Sequence, residues 1–510
     1  MKRYSLLVAF AVLALWILNA CGASMDASKS RADAQIQSGN IPPAEELRVA
    51  EYLNYYKQDF PAPVNTTLGL DTRLGNSQVP SSGGEAWLQI GLRARDAASE
   101  AIAPLNLALV IDRSGSMDTS DKMPYLKQSL RVFLHSLAPN DLVAIVTYSD
   151  NASVLVSTRP VGDGQWIDGA VEQIRPGGST NLYDGMVQGF QQVERNFVGT
   201  RFSASTASIE NPRSMRRNNR VILLTDGIAN QGVTNPDQIA QTAKQYNDRG
   251  IYLSTIGLGQ EYNDALLSQL ARQGKGGYHF VGSAADMDKI FRQEVSGLMQ
   301  KAASDVSVTL RPAQGVRVAQ ITGYEGAPPY GNVTIKLQDM GTGDTQVVLA
   351  RLQLEPGAYG LRSLADVELR YRDLFSQRAE SIARNVSADA NAFGNYDALS
   401  DVQVLRNVTI QRTAEGMKEI ARLYQQRRYQ EAWQLAVQLE QQLRYVAQLT
   451  HEDQMYKDAD TLRRYQDTLA RWVQSQTGRP PEYAYPTEST GSRLDRLPTF
   501  TPPPSQIEIK

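Results

Sequence analysis

The sequence predicts a mostly parallel, doubly wound α/β sheet that is inserted in an antiparallel β domain and followed by an α-helical segment. Three observations lead to this fold class. Apolar strands alternate with amphipathic helices through the middle of the chain, as in parallel sheets covered on both faces. Strand-like runs that alternate apolar and polar residues lie on both sides of that region. A Gln-rich stretch near the C-terminus carries apolar residues at helical spacing.

These patterns divide the 510 residues into seven segments. A chain of this length has room for about two to four domains. The predicted segments are a leader at 1–20, a tether with a short helix at 21–84, the first strand of the β domain at 85–100, the α/β domain at 101–300, a β-rich domain at 301–410, a helical segment at 411–476 and a Pro-rich tail at 477–510.

The first twenty residues have the pattern of a secretory leader. Lys2 and Arg3 form a basic start, and the apolar run that follows over 6–18 is too short to span a membrane comfortably. The run ends in Leu18-Asn19-Ala20-Cys21-Gly22, which resembles the lipobox of bacterial lipoproteins. The other interpretation is an ordinary secretory leader followed by a cysteine that is there by chance.

The lipobox resemblance implies cleavage before Cys21 and acylation of that residue, so that lipid chains anchor the protein to a membrane without a spanning helix. Cleavage leaves 50 basic against 54 acidic residues, a formal net charge of −4 instead of −2. Gly22 is not the aspartate that signals inner-membrane retention in such proteins. We therefore expect a lipid-anchored protein of the bacterial cell envelope, on the outer membrane where two membranes exist.

The composition excludes several kinds of functional site. A single cysteine excludes an internal disulfide framework and a zinc site built from cysteines, and the three histidines are far apart in the sequence. The near-neutral charge, without a basic cluster, indicates no nucleic-acid partner. Chemistry in this protein is therefore expected from oxygen-bearing side chains.

The N-terminal region is predicted to contain little structure before its first strand. Residues 22–40 are small and polar and predict a tether, and the helix formers over 44–53 predict a short helix. The Pro-, Gly- and Ser-rich stretch 61–84 predicts a loop. Apolar residues alternate over 85–94, which predicts the first strand of the β domain.

The α/β domain begins with a near-continuous apolar run at 105–111, typical of a central strand buried on both faces. The rest of the domain follows by alternation of apolar runs and helical periodicity. The predicted elements are helix 124–137, strands 142–148 and 153–158, helices 164–174 and 182–196, strand 220–225, helix 236–248, strand 251–256, helix 262–272, strand 278–281 and helix 285–300.

Period-two alternation returns after this region, with Gly- and Pro-containing turns between the runs. Because the same pattern precedes the α/β region, we expect one antiparallel β domain with the α/β domain inserted in it. Residues 411–475 resemble a single tetratricopeptide-type helical hairpin, which is expected to pack on the β domain. The predicted strands lie at 306–310, 333–337, 347–349 and 367–371.

Polar residues follow the apolar strands at three points of the α/β domain. The first strand leads directly into Asp112, Ser114 and Ser116, and the strand over 220–225 leads into Asp226. Thr180 lies at the start of a helix between them. Because ligands bind beyond the carboxyl ends of parallel strands, we expect these side chains to meet at one edge of the sheet.

These residues resemble the von Willebrand factor A family and its metal-ion-dependent adhesion site, which is an Asp-x-Ser-x-Ser motif with a Thr on a second loop and an Asp on a third. All five positions match. The phrases Leu-Val-Ile-Asp-Arg-Ser-Gly-Ser-Met and Leu-Leu-Thr-Asp-Gly are also typical of bacterial members. The resemblance covers about 200 of the 510 residues.

The resemblance also implies the roles of the ligands. Ser114 and Ser116 would bind a metal directly, and Thr180 directly or through water. Asp112 and Asp226 would act largely through water. Oxygen ligands of this kind favour Mg²⁺, with Mn²⁺ able to take its place. Such an ion would bind an exposed Asp or Glu of a protein partner at its open position.

Three neighbours of these motifs have two interpretations each. Asp118 either stabilises a helix N-terminus or tunes the metal site, and the same alternatives hold for Asp184. Arg113 either pairs with an acidic residue or flanks the incoming carboxylate. His279, on the last predicted strand, is expected to be packed rather than to bind a ligand.

The sequence thus favours an envelope-anchored protein that binds a partner through a metal ion, in adhesion or in the assembly of a complex. The alternative is a structural scaffold in which the C-terminal helical segment recruits partners. No phosphate-binding loop, nucleophile elbow or His-Glu-x-x-His motif occurs in the sequence, so no enzyme activity is expected.

Overall fold

The computed structural model describes most of the chain outside the leader and the C-terminal tail. The described residues are 16–19, 27–96, 104–120, 122–195, 217–259, 262–282, 290, 301–323, 331–376, 378–392 and 399–481. Cys21, the tail from 482 onward and all of the predicted helix 285–300 except residue 290 lie outside them.

The strands and helices are numbered in chain order. The strands are β1 (Trp16–Asn19), β2 (Leu68–Leu74), β3 (Gln78–Pro80), β4 (Gly84–Ala94), β5 (Leu105–Asp112), β6 (Leu142–Tyr148), β7 (Ala152–Pro160), β8 (Asn218–Thr225), β9 (Tyr252–Leu258), β10 (Lys275–Val281), β11 (Lys301–Pro312), β12 (Val316–Ile321), β13 (Val333–Lys336), β14 (Met340–Gly341), β15 (Thr345–Leu354), β16 (Gly360–Asp373) and β17 (Ala379–Asn391). The helices are α1 (Ala27–Gln37), α2 (Val49–Tyr55), α3 (Met123–His135), α4 (Trp166–Glu172), α5 (Leu182–Glu194), α6 (Pro236–Asp248), α7 (Asp264–Gln273), α8 (Val402–Gln425), α9 (Tyr429–Thr450) and α10 (Asp453–Thr477).

The predicted doubly wound α/β sheet is confirmed. Its strand order is β10-β9-β8-β5-β6-β7, and all neighbouring pairs are parallel except β6 with β7. Helices α3 and α4 contribute buried side chains to one face of the sheet, and α5, α6 and α7 to the other. Every residue of β5 is buried, as its apolar run requires. The carboxyl ends of β5 and β8 therefore open side by side at one edge.

The insertion of this domain in an antiparallel β domain is confirmed by one pairing. Strand β4 precedes the α/β domain and β15 follows it, and the two pair antiparallel over ten residues, from Gly84 with Leu354 to Arg93 with Thr345. Strands β12, β15, β4 and β2 form a four-stranded sheet. Its alternate side chains pack on a larger sheet of β1, β13, β14, β11, β16, β17 and β3.

The β domain contains more strands than the sequence predicted. Strands β2 and β3 lie within the stretch 61–84, where a loop was expected, and β12 and β17 were not predicted. Four of the six apolar residues of strand β17 are alanines, and none of its first seven residues is buried, so it lacks the strong alternation that identified its neighbours. Pairing with β16 along twelve residues holds it in the sheet instead.

The helical segment also differs from the expectation. It contains three helices rather than one hairpin, and it starts at Val402, inside the predicted β-rich domain 301–410. These helices pack with α2 on the outer face of the four-stranded sheet, where Trp87 and Leu349 belong to the same core as Leu439 and Leu462. The segment is therefore built into the fold.

The predicted tether over 22–40 is wrong from residue 27 to residue 37, because Ala27–Gln37 is a helix. Ser28 and Lys29 are 1% exposed, and Ala32 and Ile36 are 2% exposed. Helix α1 contacts both α10 and β10. The buried face of α1 contains polar side chains as well as apolar ones. It therefore lacks the apolar periodicity from which a helix is predicted.

Two further features concern the membrane-related predictions. Strand β1 lies in the predicted leader and pairs parallel with Val333–Lys336 at the edge of the larger sheet. Among the helices of the described residues, none combines the length and apolarity that crossing a membrane requires.

Candidate functional site

Three loops meet at the carboxyl edge of the α/β sheet. Strand β5 ends at Asp112 and continues into a short 3₁₀ helix, Gly115–Met117. Strand β8 ends at Thr225, one residue before Asp226. Thr180 lies two residues before α5, whose first turn is capped by the side chain of Asn181.

Asp112 is held under the first loop by two hydrogen bonds. The Ser114 backbone N–H donates to Oδ1 at 2.8 Å, and the Thr225 hydroxyl donates to Oδ2 at 2.6 Å. Burial raises the pKa of the Asp112 carboxyl, while the hydrogen bonds from Ser114 and Thr225 lower it and nearby Asp226 raises it further. Thr225 therefore ties the end of β8 to the end of β5 through this carboxylate.

A chain of oxygen atoms runs from the first loop to Asp226. The hydroxyl oxygens of Ser114 and Ser116 are 3.0 Å apart, and Ser116 donates to Asp226 Oδ1 at 2.8 Å. The ammonium group of Lys122 lies 2.6 Å from Asp226 Oδ2 and 3.2 Å from the Ser116 carbonyl oxygen. A cation is thus already placed against the oxygens of this site.

Thr180 is positioned beside the same oxygens by the loop after β8. The Thr180 backbone N–H donates to the Asn230 side chain at 2.9 Å, and the Asn230 N–H donates to the Thr180 carbonyl at 3.1 Å. A Cβ atom at Gly227 would lie 3.4 Å from the Thr180 hydroxyl and 3.7 Å from the Ser116 hydroxyl. All three loops therefore reach one small volume around Gly227.

Glycines allow the close approach of the loops. The Gly115 N–H donates to the Gly178 carbonyl at 3.0 Å, and the Gly177 N–H donates to the Arg113 carbonyl at 2.7 Å. Gly178 has φ +89°, and a Cβ atom there would lie 2.8 Å from an Asp150 carboxylate oxygen. Only glycine fits this backbone conformation without strain.

The five residues singled out as metal ligands are thus brought together. Asp112, Ser114, Thr180 and Asp226 are buried at 0%, 2%, 3% and 1% exposure, whereas Ser116 is exposed. The donor set is two carboxylates and three hydroxyls, all hard oxygens of the kind that Mg²⁺ and Mn²⁺ prefer. The residues present therefore fit a divalent ion, and their role as ligands stays a prediction.

The three neighbouring residues have other contacts. The Asp184 carboxylate accepts a hydrogen bond from the Ala152 N–H at 2.7 Å, so it connects α5 to β7. Asp118 is exposed, and its N–H donates to the Gly115 carbonyl at 3.1 Å. An Arg113 guanidinium nitrogen lies 3.5 Å from the Arg175 carbonyl. None of these contacts, all within the described residues, is with a side-chain oxygen of the five predicted ligands.

Sequence reasoning missed two residues that contact the site directly, Thr225 and Lys122. Thr225 stands beside Asp226 in the sequence, and its position as the last residue of a strand is a signal that could have found it. Lys122 stands six residues after Ser116, outside the motif, and nothing in its spacing marked it. His279 is 7% exposed on β10, as expected for a packed residue.

Comparison with known proteins identifies the domain that carries the site. Residues 106–293 match the sequence model of the von Willebrand factor type A domain. The chain contains a von Willebrand factor A (VWA) domain. VWA domains generally bind a divalent metal and mediate metal-dependent interactions between proteins.

Two uncharacterised proteins are similar beyond the VWA domain itself. Protein YfbK of Escherichia coli is 26% identical over 332 residues, which are 62% of this chain and 55% of YfbK. Protein sll0103 of Synechocystis is 22% identical over 355 residues, 68% of this chain and 79% of that protein. The chain thus spans only about half the length of the first of these relatives. Neither name describes an enzyme.

A solved structure shows the same fold. It is a von Willebrand factor type A protein from Catenulispora acidiphila, with a TM-score of 0.51 and 17% sequence identity. The similarity covers 78% of this chain and 89% of that one, which is far more than the VWA domain alone. At this level of identity the similarity concerns the fold.

The VWA domain is joined to the N-terminal segment by a buried polar network. The Arg48 guanidinium lies 2.8 Å from an Asp264 carboxylate oxygen at the start of α7 and 2.8 Å from a Glu51 carboxylate oxygen. The Tyr278 hydroxyl of β10 also donates to Asp264. Burial raises the pKa of Asp264, but Arg48 outweighs burial and leaves this pKa below its ordinary value. The network fixes α2 against the β10 end of the sheet.

Proposed function

We propose that this protein is a lipid-anchored protein of the bacterial cell envelope that binds a protein partner through a divalent metal at its VWA domain. The proposal is supported most by one observation, the meeting of two buried carboxylates and three hydroxyls at an edge of the sheet. The ligands would be Asp112, Ser114, Ser116, Thr180 and Asp226.

The hydrogen bonds of the site suit an ion with few anionic ligands. Both oxygens of Asp112 already accept hydrogen bonds, from Ser114 and Thr225. This carboxylate is therefore suited to bind water or hydroxyl groups rather than to coordinate the ion directly with both oxygens. When bound, Mg²⁺ supplies an open coordination position for a carboxylate oxygen of the partner. The partner is therefore a protein that presents an exposed Asp or Glu, in adhesion or complex assembly.

The exposure of the ligands determines the direction of approach. Ser116 and Gly115 are exposed, whereas the other four ligand side chains are buried beneath them. An acidic side chain can therefore reach the site over the first loop. Gly115 leaves this path open because it carries no side chain.

The substitution Ser116→Ala is expected to weaken binding of Mg²⁺ or Mn²⁺ roughly 100-fold, since it removes a predicted direct ligand at the exposed rim. Calorimetric titration of the purified chain measures this change. Ser120→Ala is the matched control, because Ser120 is an exposed serine of the same loop. Binding of metal with unchanged affinity by Ser116→Ala would contradict the assignment.

Capture from envelope extracts tests the role of the metal in partner binding. Proteins retained by the immobilised chain in Mg²⁺ should be lost in EDTA and on the Ser116→Ala variant, and kept on Ser120→Ala. Capture that survives both treatments would instead support the scaffold alternative. In that alternative the helical segment recruits the partner, and an aromatic cluster on it offers a surface for this contact. The cluster consists of Tyr424, Tyr429 and half-exposed Trp472, with ring centroids 5.5–5.9 Å apart.

The lipid anchor is the second part of the proposal. Five residues separate Cys21 from Ala27, the first residue of α1, so the Cα atoms of these two residues are at most about 21 Å apart. An acylated Cys21 would therefore hold α1 close to the lipid surface. Cleavage before Cys21 would also remove Trp16–Asn19, so that Val333–Lys336 becomes the edge of its sheet.

The substitution Cys21→Ser is expected to move the protein from the membrane fraction to the soluble fraction, because the acyl chains that retain it can no longer be attached. Fractionation of cells and the mass of the N-terminal peptide measure the change. Ser24→Ala serves as the control near the same position. An unmodified wild-type Cys21 would refute the anchor while leaving the metal site untouched.

A further inference from the structure

The side chain of Lys122 occupies a specific place at the edge of the candidate metal site. Its ammonium nitrogen is 2.6 Å from Asp226 Oδ2 and 3.2 Å from the Ser116 carbonyl oxygen. The Asp226 side chain is fully buried and that of Lys122 is 18% exposed. The ion pair therefore has one end in the protein and the other at the rim.

The charges of the site explain why a cation is stabilised there. Asp226 shares a small buried volume with Asp112, and two carboxylates in such surroundings repel each other. A buried carboxylate without a counter-charge is costly. Among the ion pairs of the described residues, the one that Asp226 forms is with Lys122. Lys122 thus supplies a single positive charge where a metal would supply two.

The stem of Lys122 lies beside a residue that carries no side chain. A Cβ atom at Gly259 would lie 3.7 Å from the Lys122 Cε, so the stem passes over a glycine at the end of β9. The backbone of Lys122 is fixed at the start of α3, where its carbonyl accepts from the Leu126 N–H at 2.9 Å. The flexible stem can therefore swing its ammonium into solvent without moving α3.

We propose that Lys122 is an internal counter-cation that competes with the divalent metal for Asp226. An ammonium 2.6 Å from Oδ2 and a metal ion held by the neighbouring hydroxyls repel each other, so metal binding has to release Lys122. Lys122 thereby keeps metal affinity below the value that the five ligands alone would give. The metal-free site is in turn stabilised by the lysine. This inference rests on the proposed function in that it requires the site to bind a divalent ion.

The test compares Lys122→Met with the wild-type chain by titration with Mg²⁺ and Mn²⁺ and by melting in EDTA. Methionine keeps the length of the stem and removes the charge. We expect the variant to bind both ions at least about tenfold more tightly, because one competitor has been removed. It should also melt at a lower temperature than wild type in EDTA, since Asp226 then lacks a counter-charge.

Two further variants make the result specific. Lys122→Gln can still donate to Asp226 but is neutral, so it should tighten metal binding as well, and it replaces the methionine variant if that one does not fold. Lys127→Met removes a lysine of α3, the helix that follows Lys122. Lys127 pairs with Glu172, and its replacement should leave metal affinity unchanged.

The possible outcomes separate this inference from the proposed function. If wild type binds metal and both neutral variants bind it equally or more weakly, Lys122 is not a competitor and the proposed function stands. If neither wild type nor the variants bind Mg²⁺ or Mn²⁺, the proposed function fails and this inference fails with it.

Discussion

Replacement of Lys29 by methionine is expected to lower the free energy of unfolding by about 3–5 kcal/mol, because it leaves two carboxylates in a buried cluster without their counter-charge. Lys29 is 1% exposed, and its ammonium lies 2.8 Å from an Asp33 oxygen and 2.7 Å from an Asp458 oxygen. It also faces the Tyr52 and Tyr55 rings, with centroids 5.9 and 4.9 Å away. Burial lowers the pKa of Lys29, but the two carboxylates outweigh it and raise this pKa above its ordinary value.

This substitution should mainly destabilise the contact between helix α1 and helix α10. Lys29 belongs to α1 and Asp458 to α10, so the pair connects the N-terminal helix to the C-terminal segment. Urea unfolding measures the loss of stability, and faster hydrogen exchange over 27–37 would locate it. Lys57→Met is the control at an exposed lysine. A change below about 1 kcal/mol would mean that the cluster contributes no more than a surface ion pair.

The same cluster explains why α1 could not be predicted from the sequence. Apolar periodicity identifies a helix when its buried face is apolar, and α3 and α5 were found in this way. In α1 the buried face includes Lys29 and Arg31, which pair with partners distant in the sequence. Those pairings exist only in the folded chain, so residues 22–40 resembled a polar tether.

The α/β domain could be predicted almost completely for the opposite reason. Its central strands β5, β6, β8 and β9 are almost wholly buried, and a near-continuous apolar run such as 105–111 is typical of such a strand. The helix predicted over 236–248 has the same bounds as α6, which begins at a proline and is capped by Asn235. Local signals and tertiary burial agree there. In β17 they do not, since only Ile382 and Val386 are large and apolar, and pairing with β16 rather than burial holds its first seven residues in the sheet.

In the candidate site, too, some residues could be placed from the sequence and others could not. Asp112, Ser114, Ser116 and Asp226 directly follow strands whose ends could be placed, so their meeting at one edge could be predicted. Lys122 reaches the site through a long side chain at the start of a helix, and no rule of spacing gives its direction. Its contact with Asp226 needed the three-dimensional structure.

Glu51 provides the second large expected effect, a dependence of stability on pH. Its side chain is 3% exposed, and its carboxylate accepts from the Arg48 Nε at 2.8 Å and from the Ser28 N–H at 3.2 Å. Burial raises the pKa of Glu51 from 4.5 to about 7, although the ion pair with Arg48 lowers it in part. The folded protein therefore binds this proton more tightly than the unfolded chain does.

The sign of the dependence follows from that difference in pKa. Below about pH 4.5 Glu51 is protonated in both states, and its full contribution to stability is present. As the pH rises from about 4.5 to about 7 the unfolded chain ionises first, so the free energy of unfolding falls. With about 1.4 kcal/mol for each pKa unit, the loss from this group amounts to about 3 kcal/mol. Above about pH 7 its contribution is constant.

The substitution Glu51→Gln should remove this part of the pH dependence, because glutamine fills the same space and carries no titrating group. Urea unfolding at intervals between pH 4.5 and 8 would show a flatter profile for the variant than for wild type. Glu45→Gln, at an exposed glutamate of the same segment, should keep the wild-type slope. Equal slopes for wild type and Glu51→Gln would show that Arg48 holds Glu51 ionised throughout this range. In that case α2 would be held against the VWA domain by the same ion pairs at every pH tested, with Arg48 paired with both Glu51 and Asp264.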